Sequence, residues 1–285
     1  MIRALRARWR LILWLLLLTG TAMFLWMLHI ASSMPVERHT TVAVDWPAGV
    51  SKRPIRIALI SDTHVSGPDN EPLRMRRIAH AVNAARPDII LLGGDYLSYD
   101  KPFGRRYYVQ DAIAPLGKFR APLGVVAVVG NHDFWRGTNR AARRALEEHG
   151  ITVLVNDAVR RGPLGIGGVD DLYKGAPDAA GTFAKMRAVG GIPILLAHEG
   201  DLFADPVDTA ALTLSGHTHC GQVSLPVIGP LWVPSRLGLR YACGRYDERG
   251  RTLIVGGGVG TTALPIRLGA VPEYWIITLV PRPTQ

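Results

Sequence analysis

Cysteine is almost missing from this chain: 285 residues contain only Cys220 and Cys243. That excludes a small secreted scaffold held together by disulfides. Internal repeats and low-complexity tracts are absent too, which excludes solenoids, propellers and largely disordered chains. Aromatic residues make up only 7%, and no basic stripe is interleaved with them. Nucleic acid is therefore not an expected partner. Acidic residues are outnumbered, 23 against 33 Lys and Arg, for a formal charge of +10. Arg3, Arg6, Arg8 and Arg10 carry four of those charges, and the rest are scattered. So diffuse an excess suits an anionic substrate or membrane surface, and equally an ordinary basic surface.

One absence is local. From Leu11 to Val36 there is no Lys, Arg, Asp or Glu, and Leu11–Ile30 is almost wholly apolar. About 20 such residues cross a bilayer as a helix. A cleaved signal has a shorter apolar core, roughly 7–15 residues, and a small-residue exit. Ala31-Ser32-Ser33 is a poor version of that exit. Residues 11–31 are thus expected to be a single-pass transmembrane helix in the cell (inner) membrane, with a cleaved signal as the alternative. Residues 1–10 form a basic amino-terminal segment, 32–54 a tether with an edge strand at Thr40–Val44, and 55–285 a domain large enough for its own core. The four arginines before the apolar run outweigh Arg38 after it, so the domain is expected to be exported rather than cytoplasmic.

Beyond residue 54 one arrangement recurs. Ile57–Ser61 runs into Asp62-Thr63-His64, and Ile89–Leu92 runs through two glycines into Asp95. Val125–Gly130 runs into Asn131-His132-Asp133, Ile194–Ala197 into His198, and Leu212–Gly216 into His217-Thr218-His219. Short aliphatic runs of this kind read as buried strands. Any one of these polar residues could simply start a turn. Together they collect five of the nine histidines with Asp and Asn, the donors divalent metals use. Helices are expected at Leu73–Ala85, from Thr138 as N-cap to His149, and at 181–190, which makes the chain α/β. Residues 98–124 are either a solvated loop leading to a helix near Val109–Leu116 or a wall of a cleft.

The ordered set D-x-H, G-D, G-N-H-D, H and G-H-x-H resembles the calcineurin-like metallophosphoesterase family from about Ile55 to Val280. The resemblance implies two mixed β-sheets packed as a sandwich with flanking helices. It also implies two divalent metal ions: Asp62, His64 and His219 on the first, Asn131, His198 and His217 on the second, with Asp95 bridging. His132 would face the phosphate and stabilise the transition state or protonate the leaving group. Such ions lie about 3.5–4 Å apart, neutralise the phosphate and acidify the attacking water. The mixed donor set favours manganese, with iron, zinc, cobalt or nickel as alternatives. His217 and His219 would point the same way if Thr218 were extended.

The chain departs from the family in places. Ser98 stands where relatives often carry the Asp that orients the phosphate-facing histidine, and Asp100 is out of register for a simple replacement. His198-Glu199-Gly200-Asp201 replaces a more usual H-x-P-D. Cys220 is open to three readings: a soft metal ligand, a small packing residue, or half of a disulfide with Cys243. Asp170-Asp171 could face the site or make a turn. Arg236, Arg240 and Arg245 could clamp a substrate anion bidentately, or be surface arginines.

The chain is also similar to the family's membrane-associated branch, through His217–Gln222 with Leu225-Pro226 and Gly258–Thr262 with Leu264-Pro265. That branch includes aryl phosphodiesterases and UDP-2,3-diacylglucosamine pyrophosphatases of lipid A synthesis. The expected activity is metal-dependent hydrolysis of phosphodiester or pyrophosphate bonds, on a phosphoester that could be lipid-linked. A non-catalytic scaffold is the competing reading; it would be free to lose ligands, yet all seven positions are filled. Oligomeric state does not follow from the sequence.

Overall fold

A computed structural model describes residues 2–48, 51–101 and 104–283. Gly49 and Val50 of the expected tether, and Pro102 and Phe103 of the 98–124 stretch, lie outside the described residues. In chain order the strands are β1 (Val36–Val44), β2 (Ile55–Ile60), β3 (Ile89–Leu92), β4 (Val125–Ala127), β5 (Thr152–Val153), β6 (Asp157–Arg161) and β7 (Leu164–Gly168). They continue as β8 (Ile192–Leu196), β9 (Leu212–Ser215), β10 (Ser224–Leu225), β11 (Gly229–Pro230), β12 (Gly244–Glu248), β13 (Arg251–Val255) and β14 (Glu273–Pro281). The helices are α1 (Ile2–Ser32), α2 (Pro72–Ala84), α3 (Val109–Ile113), α4 (Asn139–Glu148) and α5 (Ala179–Val189).

Two six-stranded sheets result, ordered β1-β14-β2-β3-β4-β5 and β12-β13-β9-β8-β7-β6. Both are mixed, because β14 runs antiparallel to β2 while β2, β3, β4 and β5 are parallel, and β6 and β12 close the second sheet antiparallel. Residues on a strand alternate between faces, and β3 shows why its four aliphatic residues do not alternate with polar ones. Ile89 and Leu91 enter the core between the sheets, with Ile194, Leu196 and Leu214. Ile90 and Leu92 enter a second core against Met75, Ile78 and Val82 of α2 and Leu146 of α4. Each such side chain contributes about 1.5–3 kcal/mol on burial. On the outer face of the second sheet, Phe183 and Met186 of α5 pack on Leu195 and Ala197. The fold is the α/β sandwich with flanking helices.

Within α1, Arg6–Ser32 is long and apolar enough to cross a membrane. Its side chains are exposed as far as Trp26, then Met27 and Ala31 are buried against the domain. The Arg74 guanidinium of α2 closes the end of this helix by donating to the Ser32 and Ser33 carbonyls.

Three local expectations need correction. The first strand begins at Val36 rather than Thr40, pairing along its whole length with β14. Residues 157–161 are a strand that their polar sequence did not announce, because this edge of the sheet is half solvated. Thr138 precedes α4 but does not cap it; its hydroxyl donates back to the carbonyls of Asp133 and Trp135.

Candidate metal centre

β2, β3 and β4 of one sheet and β8 and β9 of the other lead into the same cluster. There they deliver Asp62 and His64, Asp95, Asn131, His198, and His217 and His219. The chain does not simply run straight on. Asp62, His64, Asp95, His217 and His219 have φ of 51, 40, 56, 71 and 51°, the left-handed region. Such residues cost about 1–3 kcal/mol each and persist only where their surroundings fix them. The preceding glycines provide room. A Cβ on Gly130 would strike the Asp95 carboxylate and the His198 ring, and one on Gly216 would strike Asp62.

Thr218 is not extended but helical, with φ −76° and ψ −18°. Between two left-handed residues this makes a turn, so His217 and His219 diverge instead of sharing a direction. His219 joins Asp62 and His64, its Nε2 lying 3.1 Å from His64 Nε2 and 3.6 Å from Asp62 Oδ1. His217 joins His198, Nδ1 to Nε2 at 3.2 Å, and Asn131 Oδ1 is 3.2 Å from that same His198 nitrogen. One oxygen of Asp95, Oδ2, lies 3.4 Å from His64 Nε2 and 3.2 Å from His198 Nε2. It touches both trios. The other, Oδ1, accepts the backbone N–H of His132 at 2.8 Å.

Ring nitrogens that face one another need something between them. His64 Nδ1 lies on the Leu97 carbonyl at 3.2 Å and His198 Nδ1 on the Gly93 carbonyl at 2.7 Å, while His217 Nε2 lies on the Pro234 carbonyl at 2.6 Å. A carbonyl only accepts, so each of these nitrogens carries the hydrogen. Burial keeps His64 neutral, down to about 3, and His217 down to about 4. Their remaining lone pairs therefore point into the cluster. Burial pushes Asp62 up to about 6, against the opposing charge of His198. Burial alone would raise Asp95 and lower His198, but their mutual attraction reverses both, so Asp95 is ionised and His198 holds a proton. His64 and His217 with inward lone pairs, two carboxylates, an amide oxygen, and His198 once its inward proton is displaced fit divalent cations at two adjoining positions.

Sequence reasoning missed several supports. Asp133 accepts four backbone N–H groups, from Gly130, Asp95, Tyr96 and Leu97, and so holds the Asp95 turn against the Asn131 turn. His132 is half-buried at the rim, its ring 4.8 Å from that of His64. Its Nε2 lies 3.3 Å from the Thr262 hydroxyl, which donates to Asp100 Oδ2 at 2.8 Å. Ser98 donates to the other Asp100 oxygen at 2.7 Å. Asp100 thus reaches His132 through Thr262, despite its register. Arg267 is wholly buried, its guanidinium donating to the carbonyls of Gly257, Gly260 and Ala270 and lying 3.4 Å from His219 Nδ1.

The other predicted residues fall elsewhere. Arg236 borders a cleft of about 420 Å³ lined also by Asn131, His217, Tyr173, Lys174 and Trp232. Its guanidinium stacks 4.8 Å over Tyr173, whose ring in turn stacks on His217. Arg240 pairs with Glu248, while Arg245 pairs with Asp247 and donates to Thr40 and Thr41 of β1. Those partners lie outside the cluster, and of the three arginines Arg236 is the one among the residues lining this cleft. Asp170 and Asp171 make a turn, accepting the N–H groups of Ala176, Tyr173 and Lys174. Asp201 keeps its place after Gly200 and accepts from Ser235 and Leu237 beside the cleft. Cys220 is bonded to Cys243, which removes it as a metal ligand.

The profile for the calcineurin-like phosphoesterases matches residues 55–221, the segment that carries all seven clustered side chains. The chain belongs to that family. Bacillus subtilis metallophosphoesterase YkuE is 33% identical to this phosphoesterase over 231 residues, covering 79% of this chain and 78% of the relative. Escherichia coli phosphodiesterase YaeI is 32% identical, covering 80% and 83%. A Danio rerio transmembrane protein with a metallophosphoesterase domain is 29% identical over 79% of this chain but only 53% of its own length. This phosphoesterase is metal-dependent, as its family is, with candidate His and Asp ligands in place for divalent ions.

Proposed function

We propose that this phosphoesterase hydrolyses phosphodiester bonds at the outer face of the membrane that holds α1. The observation that carries the reading is Asp95 Oδ2, within 3.4 Å of His64 and 3.2 Å of His198, which joins two trios into one centre. Asp62, His64 and His219 would hold one ion, Asn131, His198 and His217 the other, and Asp95 both. When bound, the ions neutralise the phosphate and acidify the attacking water. His132 stands at the rim with no place in either trio, and its ring is free to hand a proton to the leaving oxygen. Thr262 and Asp100 hold that ring in place. Lys174 and Arg236 give the adjoining cleft a cationic side for an anionic substrate.

Two features support the outer face. Four arginines precede the apolar helix, against Arg38 just beyond it. The Cys220–Cys243 bond belongs to an oxidising compartment. Both count against a cytoplasmic UDP-linked pyrophosphate as substrate. The phosphodiesterase relative is consistent with a diester.

The 285-residue chain loaded with manganese should turn over aryl and glyceryl phosphodiesters faster than monoesters or UDP-linked pyrophosphates. The opposite ranking would overturn the substrate class. A carboxy-terminal alkaline phosphatase fusion should be active and a green fluorescent protein fusion dark; the reverse pattern would return the domain to the cytoplasm and favour the pyrophosphate.

A further inference from the structure

Large apolar side chains are exposed on the domain beside the cleft. β10 and β11 form a short hairpin whose tip is Pro226-Val227-Ile228. Val227 is fully exposed, and Ile228 and Trp232 are each 69% exposed. Val227 also has φ of 71°, a conformation in which a β-branched residue is an outlier. Leu231 and Leu264 are exposed as well. Soluble surfaces rarely gather so many large apolar groups without a partner.

The position of this patch indicates what covers it. Val223, at the root of the hairpin, pairs with Leu268 and Gly269, and Ser224 donates to the Leu268 carbonyl at 2.7 Å. The neighbouring Arg267 N–H donates to the Met27 carbonyl of α1 at 3.1 Å. The hairpin root and the last turn of the apolar helix are therefore held by one short segment. Charge points the same way: residues 209–246 and 249–272 contain no Asp, Glu or Lys, only arginines. An apolar hairpin without carboxylates of its own, in a stretch whose charged residues are arginines, suits anionic lipid headgroups over an acyl layer.

We propose that the Leu225–Trp232 hairpin, with Leu264, is a lipid-docking surface that rests in the bilayer spanned by α1. It also sets the orientation of the catalytic cleft. Trp232 lines the cleft together with His217 and Asn131. Gln222, just before the hairpin, exchanges two hydrogen bonds with Thr262, which contacts His132. A diester drawn from the lipid surface would meet the site without leaving the interface. The inference rests on reading α1 as a membrane anchor.

The test uses the full chain in vesicles of phosphatidylcholine and phosphatidylglycerol. Nitroxide labels are placed singly on Val227→Cys, on Leu17→Cys within α1, and on Arg249→Cys at the exposed β12–β13 turn. The native cysteines are paired and do not compete. The probes are oxygen, which concentrates in lipid, and a water-soluble nickel chelate. The proposal expects an oxygen-to-nickel accessibility ratio several-fold higher at 227 than at 249, with 17 also in lipid. Adding Ile228→Asp should lower the ratio at 227 while hydrolysis of a soluble aryl diester stays unchanged. If 17 reads as lipid and 227 reads as water, the docking surface is wrong while the anchor stands. If both read as water, the anchor fails and takes the proposal with it. Spin–spin broadening at 227 would assign the patch to a second copy of the chain and overturn the lipid assignment.

Discussion

Around Asp95, the two trios differ in what stands behind them. In the trio of Asn131, His198 and His217, both rings have their outer nitrogen on a backbone carbonyl, and the third donor is a neutral amide. In the trio of Asp62, His64 and His219, only His64 has such a carbonyl, and His219 backs onto the buried Arg267 guanidinium. Asp62 itself is tied to the other side, accepting the His217 N–H at 3.0 Å. One trio is aimed by hydrogen bonds that need no ion. The other is backed on one side by a fixed positive charge, the Arg267 guanidinium. The lesson is that outer contacts, as much as donor type, determine how a site waits for its metal.

The strongest way to break this comparison is Asp95→Asn, which removes the charge both trios share. Turnover should vanish and metal content, measured by mass spectrometry, should drop. Two ions per chain with wild-type turnover would contradict the shared role.

Next is His132→Ala, which removes a ring that packs edge-on against His64 but belongs to neither trio. Turnover should fall about 10²–10⁴-fold, the usual range for a positioned acid or base, with metal content unchanged. Loss of metal would move His132 into the ligand set.

The third prediction sharpens the asymmetry through pH. His198 is held protonated above its ordinary value, so an ion must displace that proton and affinity should rise with pH. His64, down to about 3, has no proton to release near neutrality. Asp62, raised to about 6, stays ionised above that pH and becomes protonated as pH falls through it. Lowering the pH from neutral should therefore weaken the His198 trio first and the Asp62 trio only as pH passes about 6. Calorimetric titration with manganese, in buffers of different ionisation enthalpy, should find proton release on binding. Uptake with no proton release near pH 7 would contradict the charge state of His198.

The smallest effect is expected from Asp100→Ala and Thr262→Val. Each should cost about 10–100-fold, by analogy with the outer partners of metal ligands. The loss should appear in kcat with KM and metal content held. Asp100→Asn, which keeps a hydrogen-bond acceptor for Thr262, should recover part of it. Equal losses for all three variants would make the contact merely structural.

The α/β class was legible because aliphatic runs such as Ile89–Leu92 have few alternatives to a buried strand, whereas the two-sheet sandwich came only from the family resemblance. The seven clustered residues stood out as candidate donors because they follow such runs, and the resemblance sorted them into two sets. Their directions were not. Left-handed backbone at non-glycine residues leaves no mark in the sequence, so the His217–His219 turn was expected to be straight. Asp100 could not be assigned because its partner, Thr262, lies 162 residues away. Nothing in the sequence singled out Arg267, whose carbonyl partners only the fold assembles, and β6 was missed because an edge strand need not be apolar.

One feature of the first sheet bears on how the protein is made. β1 leaves the apolar helix almost at once, yet its ladder partner is β14, with Arg38 reaching Glu273 across 235 residues of sequence. β14 then lies between β1 and β2. During synthesis the segment after the apolar helix has no strand to pair with until the chain has been made through residue 281. Until then it is an open edge, exposed to mispairing with other chains. Once β14 slots in, it stitches the segment after the apolar helix to the body like a zip closed from the far end. Shortening the chain before residue 273 would leave the apolar helix held to the body by the contacts near its end, Arg74 on the Ser32 and Ser33 carbonyls and Arg267 on the Met27 carbonyl, without the nine-residue ladder.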